Sequence, residues 1–152
     1  RNGKDIGFVG RVKTVNPAVI ESSLQTGQIP VVSPVSANAE GDTYNINADT
    51  ATAALAQAMN ATNSIFFSDV PRILIDRAPQ PRLTIEQGRA LIADGTIHGG
   101  MVAKLESIFD ALHHGVDRVH ITQWRHPNML SLILQHQHVE KTTIIESPGG
   151  RA

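Results

Sequence analysis

Apolar residues come in short runs along this chain, separated by polar and glycine- or proline-containing breaks, which predicts strands alternating with helices. The run Ile6-Gly7-Phe8-Val9-Gly10-Arg11-Val12-Lys13-Thr14-Val15 has the alternation of a strand or hairpin, with glycines at its bends. Asn16-Pro17 predicts a helix start and Gly27 its stop. Ile29 to Val35 is apolar on both faces and reads as a buried parallel strand, followed by a polar loop from Ser36 to Asp42. Ser64 to Val70 reads as a second buried strand, and Ile73 to Asp76 as a short one before the turn Ala78-Pro79-Gln80-Pro81. Thr84-Ile85-Glu86-Gln87 opens a helix that Gly95 ends. A further helix begins near Met101, with Met101, Leu105, Ile108 and Leu112 as its core stripe. Arg118 to Thr122 is a third strand, His126-Pro127 starts a helix through Leu130 to Leu134, and Thr142 to Ile145 is the last strand before a loose tail.

The stretch from Tyr44 to Ala54 joins two periods. Asn45, Asn47 and Asp49 alternate as an extended segment would present them, and small residues of helical character follow at once. Asp49 and Thr50 are both good caps for a helix running from about Thr50 to Met59. The first N–H groups of such a helix have no intrahelical partner and can receive a carboxylate or phosphate; the competing reading is that Asp49 only caps and the asparagines form an Asx-turn. Two other places carry chemistry. Ser68 and Asp69 stand at the carboxyl end of a strand, where ligands bind in open α/β sheets. In Thr96-Ile97-His98-Gly99-Gly100-Met101-Val102-Ala103-Lys104, paired glycines allow close backbone approach and Lys104 falls about one turn into a helix, within reach of an anion. The Gly-Lys-Ser/Thr ending of a Walker loop is absent.

Composition narrows the function classes. The chain has 152 residues and a formal net charge of −1, which suits one compact domain or two closely packed lobes. Lysines and arginines are scattered and aromatics reach only 4%, so neither a duplex-binding stripe nor a base-stacking platform is present. No apolar run approaches the ~18 residues of a spanning helix, and no signal-peptide pattern opens the chain. Neither nucleic acid nor membrane is expected as a partner. With no cysteine there is no disulfide or thiol chemistry, and the cytoplasm is the simplest location. His136 and His138 would point to different faces of a helix, no cysteine or acidic partner has structural-zinc spacing, and no metal site is expected.

Taken together, Gly7-Phe8-Val9-Gly10, Tyr44-Asn45-Ile46-Asn47-Ala48-Asp49, Ser68-Asp69-Val70-Pro71 and Gly99-Gly100-Met101-Val102-Ala103-Lys104 resemble N-acetyl-L-glutamate kinases of the amino acid kinase superfamily. Ala-Leu-Ile-Ala-Asp-Gly at 90 to 95 fits as well. The resemblance implies an α/β fold: a three-layer αβα sandwich with a mainly parallel sheet, of the amino acid kinase (carbamate kinase-like) type, incomplete at its N-terminal side. Residues 1–62 would be the C-terminal part of the amino-acid-binding lobe and 63–152 the nucleotide-binding lobe. The implied reaction is ATP-dependent phosphorylation of the γ-carboxylate of N-acetyl-L-glutamate in arginine synthesis, with Mg2+ held mainly by the nucleotide phosphates.

By the same resemblance Asn45 would contact the acetylamino acid, Asp49 would organise catalytic lysines, and Lys104 would stabilise charge on the transferring phosphoryl group. Asp69, Val70, Pro71, Arg72, Ile73 and Leu74, with Thr96, Ile97 and His98, would line the nucleotide. Arg72 stands where the family usually has glycine, and His98 where it usually has a small hydroxyl residue. The first-half lysine, glycine-rich turns and substrate arginine of the family are absent from these residues, so this chain alone is expected to show no ADP production. The alternatives are a kinase for another acylated or free amino acid, and a non-catalytic nucleotide-binding regulatory or assembly module. An exposed edge at residues 6 to 15 further predicts a homo-oligomer.

Overall fold

The computed structural model describes residues 7–147. Three short strands come first in space: β1 (Val9–Gly10), β2 (Val35–Ala37) and β3 (Thr43–Ile46), in the order β1-β3-β2. β1 pairs parallel to β3 and β2 antiparallel to it. Helix α1 (Ala18–Gln25) lies between β1 and β2 in sequence, its start fixed by the Ala18 N–H donating to Asn16 Oδ1 at 3.1 Å.

Of the strand or hairpin expected over residues 6 to 15, the described residues form a strand at Val9–Gly10 and no hairpin. Ile6 lies outside the described residues; Val9 and Gly10 pair instead with Asn45 and Ile46, and residues 11–16 have no regular structure. Gly10 explains the choice of partner, since a Cβ there would lie 2.9 Å from Tyr44 Cβ, so only glycine lets β1 approach β3 this closely. The buried parallel strand expected over Ile29 to Val35 is also corrected. Regular pairing starts only at Val35 and is antiparallel, while Ile29 and Val31 are 89% and 95% exposed. A strand apolar on both faces needs a layer on each side, and here Ile29, Val31, Val32 and Val35 all stay exposed.

The second sheet carries the core. Its strands are β4 (Asn63–Phe67), β7 (Arg82–Thr84), β8 (Arg118–Thr122) and β9 (Lys141–Ile145), in the order β4-β8-β9-β7. β4–β8 and β7–β9 are parallel and β8–β9 is antiparallel, so parallel pairs are joined through one antiparallel seam. A small ribbon of β5 (Leu74–Ile75) and β6 (Ala78–Pro79) projects between them in sequence. Helices α2 (Ala48–Ala58), α3 (Ile85–Ala93) and α4 (Gly100–His113) supply one layer, and the short α5 (Met129–Leu134) follows β8.

Phe66, Leu83, Val119, Ile121 and Ile144 of the sheet join Ala53, Ala56, Leu105, Ile108, Phe109 and Leu112 of α2 and α4 in one buried cluster. The predicted stripe on α4 is therefore the core face, with Met101 partly buried at its start. Thr84 and Gln87 close a capping box at the start of α3, as the Thr84-to-Gln87 spacing predicts.

His120 sits inside β8, only 6% exposed. Its Nε2 lies 3.2 Å from Asn63 Oδ1 and its Nδ1 3.0 Å from Thr143 Oγ1, so a neutral ring donates to the asparagine and accepts from the threonine. Burial, reinforced by the positive charges of Lys141 and Arg118 and by His136, pushes its pKa down to about 4. The unfolded chain takes up a proton near pH ~6.5 and the folded chain does not, so stability falls as pH drops from about 6.5 toward about 4, at up to ~1.4 kcal/mol per pH unit. Thermal melts should show a steeper acid loss for the unaltered chain than for His120→Gln; parallel curves would remove His120 as the cause.

Candidate active site

The extended-to-helix junction folds with one shift from expectation. Asn47, not Asp49 or Thr50, caps α2: its Oδ1 accepts the Thr50 N–H at 3.1 Å, and the helix begins at Ala48. The consequence is chemical. With the cap supplied by Asn47, the Asp49 carboxylate is released for another partner, which is Lys104: Nζ lies 2.6 Å from Asp49 Oδ1. Both side chains stay partly open to solvent, at 16% for Lys104 and 25% for Asp49. The Lys104 ammonium also stands 5.2 Å from the centre of the Phe66 ring, a cation–π contact at the end of β4.

Helix pairing brings Asp49 and Lys104 together. Beyond the ion pair, Thr50 Oγ1 meets Ser107 Oγ at 3.4 Å, and Gln57 Nε2 donates to Asp110 Oδ2 at 3.0 Å. These contacts advance in the same chain direction on α2 and α4, so the two helix N-termini lie at one end. α2 leads into β4 and α4 into β8, and these strands are parallel, so that end is also where both strands finish. Two positive helix ends and one ammonium thus face the carboxyl ends of β4 and β8, a place suited to a polyanion. At the start of α4, Gly99 has φ 63° and ψ −140°, a backbone that side-chain-bearing residues avoid.

The other predicted residues fall in two segments. Asp69, Val70, Pro71, Arg72, Ile73 and Leu74 form the connection from β4 into β5. Ser68 donates its N–H to the Thr122 carbonyl at 2.7 Å and its hydroxyl to Asp69 Oδ1 at 3.0 Å, which seats the turn on β8. Gln123 Nε2 donates to the Asp69 carbonyl at 3.0 Å. Ile73 is a core residue, 4% exposed, and its N–H is already taken by Thr142 Oγ1 at 2.9 Å. Thr96, Ile97 and His98 connect α3 to α4. Asp94 accepts the Thr96 N–H at 2.9 Å, which holds the Asp94 carboxyl below the usual carboxylate range. Ile97 points into the core at 5% exposure, while Thr96 and His98 are exposed. Asn45 lies exposed on β3, its N–H donating to the Phe8 carbonyl at 2.8 Å.

Gln123, Arg125 and Glu140 are the residues that sequence reading overlooks here; they have no motif of their own and enter only because β8 and β9 carry them beside Asp69 and Arg72. Clefts open elsewhere: one of about 460 Å3 is bordered by Lys13, Gln57 and Asp110, and an apolar one of about 420 Å3 lies between α1 and α2. Neither cleft is bordered by Asp49 or Lys104. Among the described residues no group of three or more His, Asp or Glu could hold a metal ion, and no helix is long and apolar enough to cross a membrane.

The amino acid kinase family model matches residues 1–123. Acetylglutamate kinase of Gloeobacter violaceus is 45% identical over 133 residues, covering 84% of this chain and 44% of that protein. The acetylglutamate kinase of Azorhizobium caulinodans is 44% identical over 136 residues, covering 88% and 45%. The chain spans a little under half the length of the curated relatives it matches. Among solved structures, smu.665 from Streptococcus mutans superimposes with a TM-score of 0.79 at 30% identity, covering 93% of this chain and 52% of that one. N-acetylglutamate synthase from Neisseria gonorrhoeae, complexed with coenzyme A and L-arginine, gives 0.86 at 21% identity, covering 97% and 34%. Carbamate kinase from Giardia lamblia bound to AMP-PNP gives 0.65 at 20%, covering 91% and 52%. The last two show the fold alone.

Proposed function

Because this chain belongs to the amino acid kinase family, we propose that it supplies the nucleotide site and one phosphoryl-stabilising cation of an acetylglutamate kinase. In this reading residues 63–152 hold ATP, residues 1–62 complete the amino-acid lobe, and the γ-carboxylate of N-acetyl-L-glutamate attacks the γ-phosphorus to give an acyl phosphate and ADP. The step belongs to cytoplasmic arginine synthesis. The observation that carries the reading is the Asp49–Lys104 ion pair at the shared end of two helices and two strands.

Phosphoryl transfer asks a protein mainly for placement and for positive charge where negative charge spreads. Lys104 provides that charge, and Asp49 holds its ammonium in place. Asn45 is assigned to the acetylamino acid. Asp69, Val70, Pro71, Arg72, Ile73 and Leu74 are assigned to the nucleotide together with Thr96, Ile97 and His98; the side chains of Ile73 and Ile97 are buried and their N–H groups are bonded to Thr142 Oγ1 and the Leu91 carbonyl, so only their carbonyl oxygens are left to a ligand. Mg2+ would come with the nucleotide, held mainly by its phosphates, and would neutralise charge on their oxygens. Association with further copies is part of the reading, supported by the exposed apolar side chains of Phe8, Val19, Ile29 and Val31.

The test is trapping of the acyl phosphate as a hydroxamate by a polypeptide that spans the full length of the relatives, given Mg·ATP and a panel of amino acids. Formation with N-acetyl-L-glutamate and not with free glutamate is expected. Preference for another amino acid would replace the substrate, and no product with any would remove the kinase reading.

A further inference from the structure

Within the connection from β4 to β5, Arg72 is the cation, and its guanidinium meets Glu140 Oε1. The same carboxylate is shared. Arg125 Nη2 lies 3.3 Å from Glu140 Oε2, and Arg125 Nε donates to Gln123 Oε1 at 3.2 Å. Gln123 in turn donates to the Asp69 carbonyl. The connection is therefore held at both ends, at Asp69 by Gln123 and at Arg72 by Glu140.

Two guanidinium groups on one carboxylate leave a positive charge without its own counter-ion. Were Arg72 to leave, Arg125 would still neutralise Glu140, so departure strands no charge. The pair Arg72 and Glu140 is also wet, at 22% and 45% side-chain exposure, and an ion pair in that setting holds weakly. A phosphate offers Arg72 more: two parallel charge-assisted hydrogen bonds matching its planar fork.

We propose that Arg72 is a phosphate ligand held in reserve, paired with Glu140 and moving to a phosphate oxygen when a nucleoside triphosphate binds, while Arg125 keeps Glu140 neutralised. This rests on the nucleotide reading of residues 69–74. Glu140 then acts as a competitor of the ligand, and its removal strengthens binding.

Calorimetric titration of the 152-residue chain with Mg·AMP-PNP tests the assignment. Arg72→Ala should weaken binding about 10-fold, and Arg72→Lys, which keeps the charge without the fork, by less. Glu140→Gln should tighten binding about threefold, and the double variant should match Arg72→Ala; a double variant that binds more tightly than Arg72→Ala would move the gain to Arg125 and overturn the assignment. If Arg72→Ala and Glu140→Gln both weaken binding, the pair merely braces the connection and the assignment is overturned; an unchanged affinity in Arg72→Ala overturns it equally. Absence of any binding by the unaltered chain would instead overturn the nucleotide reading beneath it.

Discussion

Lys104→Ala, made in a polypeptide that spans the full length of the relatives, should lower kcat about 10²–10³-fold while KM for Mg·ATP changes only a few-fold. The split follows from where the ammonium acts. Its charge is met by Asp49 at 2.6 Å and by the Phe66 ring, so little of it is spent on the ground state. As negative charge spreads over the transferring group, the partly exposed ammonium can turn its remaining hydrogens toward it. Lys104→Arg should recover only part of the rate, because a planar fork cannot keep both the Asp49 contact and the same point of charge. Asp49→Asn keeps the shape and loses the counter-charge. It should lower kcat less than Lys104→Ala, with the thermal midpoint near that of the unaltered protein. A rise in KM at constant kcat would assign Lys104 to binding rather than to the transfer step.

Phe109→Ala should destabilise the chain by about 3–5 kcal/mol, the largest structural effect expected here. The ring is 1% exposed and fills the space between α4 and α3. Gly88 on α3 makes room for it: a Cβ at that position would stand 2.5 Å from Phe109 Cζ. Arg89 covers the ring, its guanidinium carbon 6.0 Å from the ring centre. Removing the ring leaves a cavity that the two helix backbones cannot close, and the loss is a large share of the ~5–15 kcal/mol that keeps such a domain folded. Urea unfolding should show the midpoint falling with little change in slope. The reciprocal change, Gly88→Ala, should cost about 1–3 kcal/mol by overpacking. Combined, the two should cost less than their sum by about 0.5–3 kcal/mol, because the alanine enters space the phenylalanine has left. Strict additivity would mean that the two positions do not share that space.

How much of this is readable beforehand depends on how local the cause is. Helices α3 and α4 are legible because their signals are local: Thr84 with Gln87 at the start of α3 and Gly95 after it, and Leu105 with Ile108 and Leu112 as the stripe of α4. The pairing of β1 is not legible, because its partner lies some 35 residues on and the deciding fact is the tight approach of Gly10 to Tyr44. Ile29 to Val35 misleads for a related reason. Its apolar pattern asks for cover on both faces, yet Ile29, Val31, Val32 and Val35 remain exposed.

At the site, Asp49 and Lys104 can be picked out singly from their neighbours in sequence, but the cap is misassigned. Asn47 and Asp49 are equally plausible caps by composition, and only the helix start at Ala48 separates them. Glu140 and Arg125 carry no local signal at all. Their meeting with Arg72 arises from the order of strands β4, β8 and β9, which is a property of the sheet rather than of any segment.

The most direct test of the proposed reaction centre is a crystal structure of the chain grown with Mg·AMP-PNP. The account predicts the terminal phosphate within about 3 Å of Lys104 Nζ, at the N-terminal ends of α2 and α4, with Asp49 still beside the ammonium. Nucleotide bound with its phosphates directed away from Lys104, or seated in the cleft beside Gln57 and Asp110, would contradict it.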